Sequence, residues 1–220
     1  VEKVLSYTRT SEDNRRMGDY FSFSGTWQDG AILVCEANNN APRVYEFAVK
    51  DGVVNQTPTT IPLNEEARSL KSGTAGVFHY KHDIYVITSE GSAPLVVKRE
   101  GGNMNLVAQL DLSVFNGGKD LRTPKFVTLN GKEYMVGIVG TYKNNNMEGT
   151  ATLFVMPITD GDIVASVAAA TRENCLIKDI ENCAAGNGFA GLDVIQKGQT
   201  LYIGYGVRAG ELGLIKFRNE

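Results

Sequence analysis

Pro124-Lys125-Phe126-Val127-Thr128-Leu129-Asn130-Gly131-Lys132-Glu133-Tyr134-Met135-Val136 holds two short alternating runs joined by Asn-Gly, the strongest short-range hairpin signal in sequence. The pattern occurs four times. Phe21 to Val34 folds around Asp29-Gly30, Gly76 to Val86 around Lys81-His82-Asp83, and Gly191 to Ile203 around Lys197-Gly198. Each copy ends in an apolar triplet: Ile32-Leu33-Val34, Ile84-Tyr85-Val86, Tyr134-Met135-Val136 and Leu201-Tyr202-Ile203. Turns of the Asn-Gly and Asp-Gly class need positive φ at their central residues, so Gly131 and Gly30 are both expected there.

After each hairpin the chain reads as a polar loop, a third strand, a second turn and a fourth strand. In the first unit these are Ala37 to Pro42, Arg43 to Val49, Asp51-Gly52 and a strand near Val53. The second unit has Ser89 to Pro94, Leu95 to Lys98, Gly101-Gly102 and Asn105 to Leu110. In the third, a loop over Gly140 to Gly149 precedes Thr150 to Met156, the Asp160-Gly161 turn and a strand over Ile163 to Val167. The fourth supplies strands at Leu192 to Ile195, Thr200 to Tyr205 and Leu212 to Phe217, and no fourth strand. Val4-Leu5-Ser6-Tyr7-Thr8 has strand composition and belongs to no other unit, so it is expected to complete the last one and remove its open edge.

The triplets recur at intervals of 52, 50 and 67 residues, a period that predicts propeller blades. The longer third interval places an insertion over Ala168 to Gly188, Ala-rich at its start and compatible with a short helix. The expected fold is therefore all-β: one domain over residues 1–220, a small β-propeller of about four blades of four antiparallel strands, the last blade closed by the N-terminal strand.

Composition bounds the function. With 42% hydrophobic and 9% aromatic residues the 220-residue chain can bury a core, and a net charge of -3 argues against a general nucleic-acid binder. No apolar run approaches the roughly 18 residues that cross a bilayer. No signal sequence opens the chain, so export would mean that its signal has been removed. Cys35, Cys175 and Cys183 show no metal spacing; Cys175 and Cys183 are close enough in sequence for a local disulfide or can remain two thiols, while Cys35 reads as a small buried hydrophobe.

Hairpins of this kind, repeated and closed by a terminal strand, resemble β-propellers, and the Asn-rich, Gly-rich style is similar to propeller domains of exported bacterial lipoproteins. The Trp-Asp pattern and the paired-glycine kelch pattern are both absent. The resemblance implies a periplasmic or cell-surface location and a non-enzymatic binding or scaffolding role. It transfers no catalytic residue and implies no cofactor.

Candidate chemistry is sparse. His79, His82 and Asp83 flank one hairpin turn, and alternation sends His79 and Tyr80 to opposite faces, so a surface turn is expected rather than a metal site. No nucleophile elbow, His-Glu-x-x-His or phosphate loop occurs. Trp27 reads as packing rather than as a sugar platform. A second reading stays open: a glycan-active hydrolase or lyase whose carboxylates, drawn from Glu36, Asp19, Asp193 and Glu148, surround the central channel.

In a propeller the second-to-third loops and the connections between blades share one face, and loops on a rigid scaffold are where binding resides. That face is expected to collect Asn38, Asn39, Asn40, Tyr142, Asn144, Asn145, Asn146 and Arg208. The basic linkers add Arg15, Arg16, Arg68, Arg122 and Lys125. Asparagine amides suit hydroxyls and arginine suits carboxylate or sulfate, so the expected ligand is a glycan, neutral or anionic, with a protein partner as the other option.

Overall fold

The computed structural model describes residues 5, 16–37, 43–70, 76–88, 92–115, 121–143, 146–183, 190–207 and 211–218, and for strand residues 16–19, 37, 141–143, 146–149, 181–183 and 190 the backbone alone. The chain is all-β with two short helices, and divides into two compact units, Val1–Ser89 with Leu95–Gln109 and Glu90–Pro94 with Leu110–Glu220. Each unit holds two antiparallel meanders.

In the first unit, β1 (Arg16–Gly25), β2 (Asp29–Ala37) and β3 (Arg43–Lys50) pair in sequence order. Two short strands, β4 (Val53–Val54) and β5 (Thr59–Pro62), then lie one after the other along β3 and make up the fourth strand. A single helical turn, α1 (Glu65–Ser69), follows; Asn64 caps it by accepting the N–H of Ala67 at 3.0 Å and also accepts that of Leu106 at 3.3 Å. The second meander is β6 (Gly76–Tyr80), β7 (Ile84–Thr88), β8 (Leu95–Glu100) and β9 (Asn103–Gln109), as the repeat predicts. One parallel pair, Tyr20 with Gly76, joins the two sheets.

Alternation explains the packing. Along β3, Val44 turns to a core shared with Val77, Tyr85, Ile87, Leu95 and Val97 of the second meander, while Tyr45, Phe47 and Val49 build a separate cluster on the other face with Phe23, Ile32 and Val34. Leu5, the one described residue of the segment expected to close the last unit, is outside any strand and packs against this second cluster. Val4 and residues 6–8 lie outside the described residues.

In the second unit, β10 (Arg122–Leu129), β11 (Lys132–Lys143), β12 (Asn146–Ile158) and β13 (Leu176–Cys183) form the third meander. Two expectations fail here. The polar loop expected over residues 140–149 is ladder instead: β11 and β12 stay paired through Tyr142 with Met147 and Lys143 with Asn146, so only residues 144–145 separate the strands, a tolerance that comes from a register shift between Gly140 and Tyr142. The strand expected over Ile163 to Val167 is a helix, α2 (Ile163–Ala168). Asp162 caps it, accepting the N–H of Ala165 at 2.9 Å, and Ile163 and Val167 bury their side chains one turn apart, so helical capping and spacing override β-branched composition. The fourth strand is displaced into β13. Cys175, just before it, is a free thiol, so the Cys175–Cys183 disulfide does not form.

The fourth meander is β14 (Ala190–Lys197), β15 (Thr200–Val207) and β16 (Leu212–Phe217), and among the described residues β16 has no outer partner strand. One face of this sheet, with Leu192, Leu201, Ile203, Tyr205, Ile215 and Phe217, shares a core with Leu129, Tyr134, Val136, Ile138, Leu153 and Val155 of the third meander. Strand pairing yields sheets of nine, four and three strands.

Candidate functional site

The third meander opens on Leu121-Arg122-Thr123-Pro124-Lys125, where the ladder slips: Arg122 pairs with Ile138 and Lys125 with Val136, so β10 carries one residue more than β11 between these pairs. Pro124 has no N–H to donate, which is why the slip falls there. Thr123 absorbs the extra length at φ 40°, the left-handed region. A β-branched residue is strained there, by about 1 to 3 kcal/mol, and a following proline restricts the backbone further. The hydroxyl oxygen of Thr123 is buried with no hydrogen-bond partner among the described residues. Its neighbour Arg122 is 4% exposed, a basic side chain withdrawn from water. Lys125, beyond the bulge, is half-buried and pairs its Nζ with Asp193 of β14 at 3.3 Å.

Of the residues expected to bind, the structure thus brings Arg122 and Lys125 together on one strand, on either side of a strained bulge. Arg68 belongs to the first unit, exposed on the last turn of α1, so it stands in a different setting from Arg122. Arg16 opens β1 opposite Ala37, and Tyr142 and Asn146 sit in the ladder near the end of the β11–β12 hairpin. Arg15, Asn38, Asn39, Asn40, Asn144, Asn145 and Arg208 lie outside the described residues.

The two histidines stand in different settings. Ser22 Oγ accepts the backbone N–H of His79 at 3.2 Å and lies 2.7 Å from its Nδ1, just beyond the Tyr20–Gly76 pair, so a serine side chain continues between β1 and β6 where backbone pairing stops. Burial lowers the His79 pKa and favours the neutral ring. His82 is exposed beside Asp83, and among the described residues no group of three or more His, Cys, Asp or Glu is arranged to hold a metal. Glu36 is buried and engaged by the Tyr45 hydroxyl at 3.4 Å and by Arg43 Nε at 3.8 Å. With Asp193 paired to Lys125, two of the four carboxylates considered for catalysis are held by cations; the side chains of Asp19 and Glu148 lie outside the description.

Features that sequence reading did not single out appear on the fourth meander. Gly191 and Gly206 are cross-strand partners beside Gly204, and together with Asp193 and Leu212 they line an open concavity of about 900 Å³. Leu212, Leu214 and Ile195 point from this outer face at 88%, 70% and 67% exposure. At one end Glu211 accepts from the Tyr205 hydroxyl and pairs with Lys178 at 3.1 Å, and these hydrogen bonds lower its pKa. A Cβ on Gly213 would lie 2.3 Å from the Tyr205 oxygen, so glycine is what lets the ring pass. Alternation could have placed Gly204 and Gly206 on one face; nothing in the sequence marks Thr123 as left-handed. No family model, no curated protein and no solved structure matches the chain.

Proposed function

We propose that the chain is an exported, non-catalytic binding module, its four meanders the blades of a small β-propeller, holding a carbohydrate through its loop-bearing ends. The observation that carries this reading is that the meander series ends in two uncovered apolar faces. On the first meander Phe21 is 65% exposed and Trp27 is 52% exposed, tilted against Phe23 at 5.9 Å. On the fourth, Leu212, Leu214 and Ile195 stand over a glycine floor. Exposed apolar faces of this kind mark interaction surfaces. In a propeller the loops of all blades share two ends, which supports binding there. A periplasmic or cell-surface location belongs to the same proposal. The test is a glycan array on the purified protein, followed by product analysis of any glycan retained. Retention without turnover is expected; released product would replace the binding reading by the hydrolase or lyase one, and no retention of any glycan would remove the carbohydrate.

A further inference from the structure

Trp27, the only tryptophan of the chain, sits in the turn over residues 26–28 between β1 and β2 and is 52% exposed. Packing, the role its sequence position suggests, accounts for part of the ring only. Phe23 stands against the indole with ring centroids 5.9 Å apart and a 36° tilt, and Nε1 lies 3.9 Å from where a Cβ on Gly52 would stand. The turn that carries it is pinned. Thr26 Oγ1 accepts the Asp29 N–H at 3.0 Å, and the Thr26 N–H donates to the Asp29 carbonyl at 3.0 Å. The Gly52 N–H donates to the Gln28 carbonyl at 3.0 Å, which ties this turn to the Asp51-Gly52 turn between β3 and β4. An indole so supported loses little conformational freedom when a ligand arrives.

Polar side chains flank it. Gln28 and Asp29 follow in the chain, Lys50 is the cross-strand partner of Asp29, and Asp51 precedes the glycine that the indole meets. All four are exposed, and no hydrogen bond or ion pair engages their side chains among the described residues. An open aromatic ring takes the C–H face of a sugar, while amide and carboxylate groups beside it take the hydroxyls. Two carboxylates against one ammonium give the surroundings a net negative charge, which disfavours carboxylated and sulfated sugars.

We infer that Trp27 is the stacking platform for a neutral pyranose, with Gln28, Asp29 and Asp51 placed to meet its hydroxyls. The inference rests on the binding-module reading and gives its carbohydrate a place and a charge.

The test screens the intact protein, Trp27→Ala and Trp27→Phe on one array of neutral and acidic oligosaccharides. The parent should retain neutral oligosaccharides, Trp27→Ala should hold them about tenfold more weakly, and Trp27→Phe, which keeps an aromatic face, should stay within about fivefold. Because no other tryptophan contributes, titrating the retained oligosaccharide into the parent should move the emission to shorter wavelength. Equal retention by the parent and Trp27→Ala would overturn the platform and leave the binding module standing, as would saturation without a change in emission or retention of acidic glycans alone. Should Trp27→Ala not fold, the emission titration of the parent still decides. A parent that retains no glycan would lose both the carbohydrate and this platform, and an emission shift on phosphatidylcholine vesicles would then assign the indole to a lipid surface.

Discussion

Glycine serves two separate purposes in the hairpins, and a single substitution distinguishes them. Asn130 and Gly131 adopt φ 52° and 75°, the type I′ pattern expected, and a Cβ on Gly131 would meet nothing within 4 Å. Gly131→Ala therefore costs conformational strain alone, about 1 kcal/mol in urea unfolding. Gly30, expected to be its counterpart, is not left-handed: it pairs with Gly25 inside the ladder, and Gly25 takes the positive φ of 90°. Its Cβ would fall 2.4 Å from the Ser24 carbonyl oxygen, so Gly30→Ala is expected to cost more than Gly131→Ala, roughly 2 to 3 kcal/mol. Equal losses would show that close backbone approach is not what Gly30 permits. His79 gives a pH-dependent prediction. Its folded pKa lies below the ordinary 6.5, so as pH falls through 6.5 the unfolded chain takes up a proton that the folded chain refuses, and stability declines from there down to the folded pKa. Thermal melts between pH 7.5 and 5 should show this decline, and His79→Phe should flatten it; a parent curve with no slope in that window would exclude the histidine as its source.

At the scale of elements, local pattern decided most of the structure where alternation and turn residues agreed. Three of the four hairpins and the second meander follow the sequence reading, with side chains alternating as along β7 and β8, whereas the first hairpin turns at residues 26–28 and carries Asp29 and Gly30 into β2. The reading failed over Ile163 to Val167, where β-branched composition suggested a strand, because a capping aspartate and two apolar residues four apart outweigh weak propensity. Ser166 adds to this by donating to the Asp162 carbonyl at 2.6 Å and accepting the Thr159 N–H at 2.9 Å. Asp162→Ala should thus destabilise the second unit by about 1 kcal/mol, and Asp162→Asn should recover most of the loss; an alanine variant as stable as the parent would mean that the cap is not what holds α2. The candidate site was legible only as basic residues in a linker. Arg122 and Lys125 could be named from sequence, but the left-handed Thr123 between them depends on a register slip against β11 that no local pattern encodes.

The whole molecule raises the question of what its two outer faces do, and the proposed ring closure makes a prediction that ordinary surface behaviour does not. Leu214 is 70% exposed, and so is Val53 on β4. If both face solvent, replacing either by aspartate should change stability by no more than about 0.5 kcal/mol beyond the loss in strand propensity. If the outer face of β14–β16 is covered, Leu214→Asp would bury an unpaired carboxylate, at a cost of several kcal/mol, while Val53→Asp would remain mild. Leu212→Asp should behave like Leu214→Asp, since the two residues project from the same side of β16, two positions apart. Chemical unfolding of the three variants under identical conditions decides the matter. A large loss at Leu212 and Leu214 in a protein that remains monomeric by sedimentation supports intramolecular closure, and a loss that depends on protein concentration assigns the face to a second copy of the chain. Variants indistinguishable from Val53→Asp would leave the leucines as solvent-facing residues and withdraw the propeller.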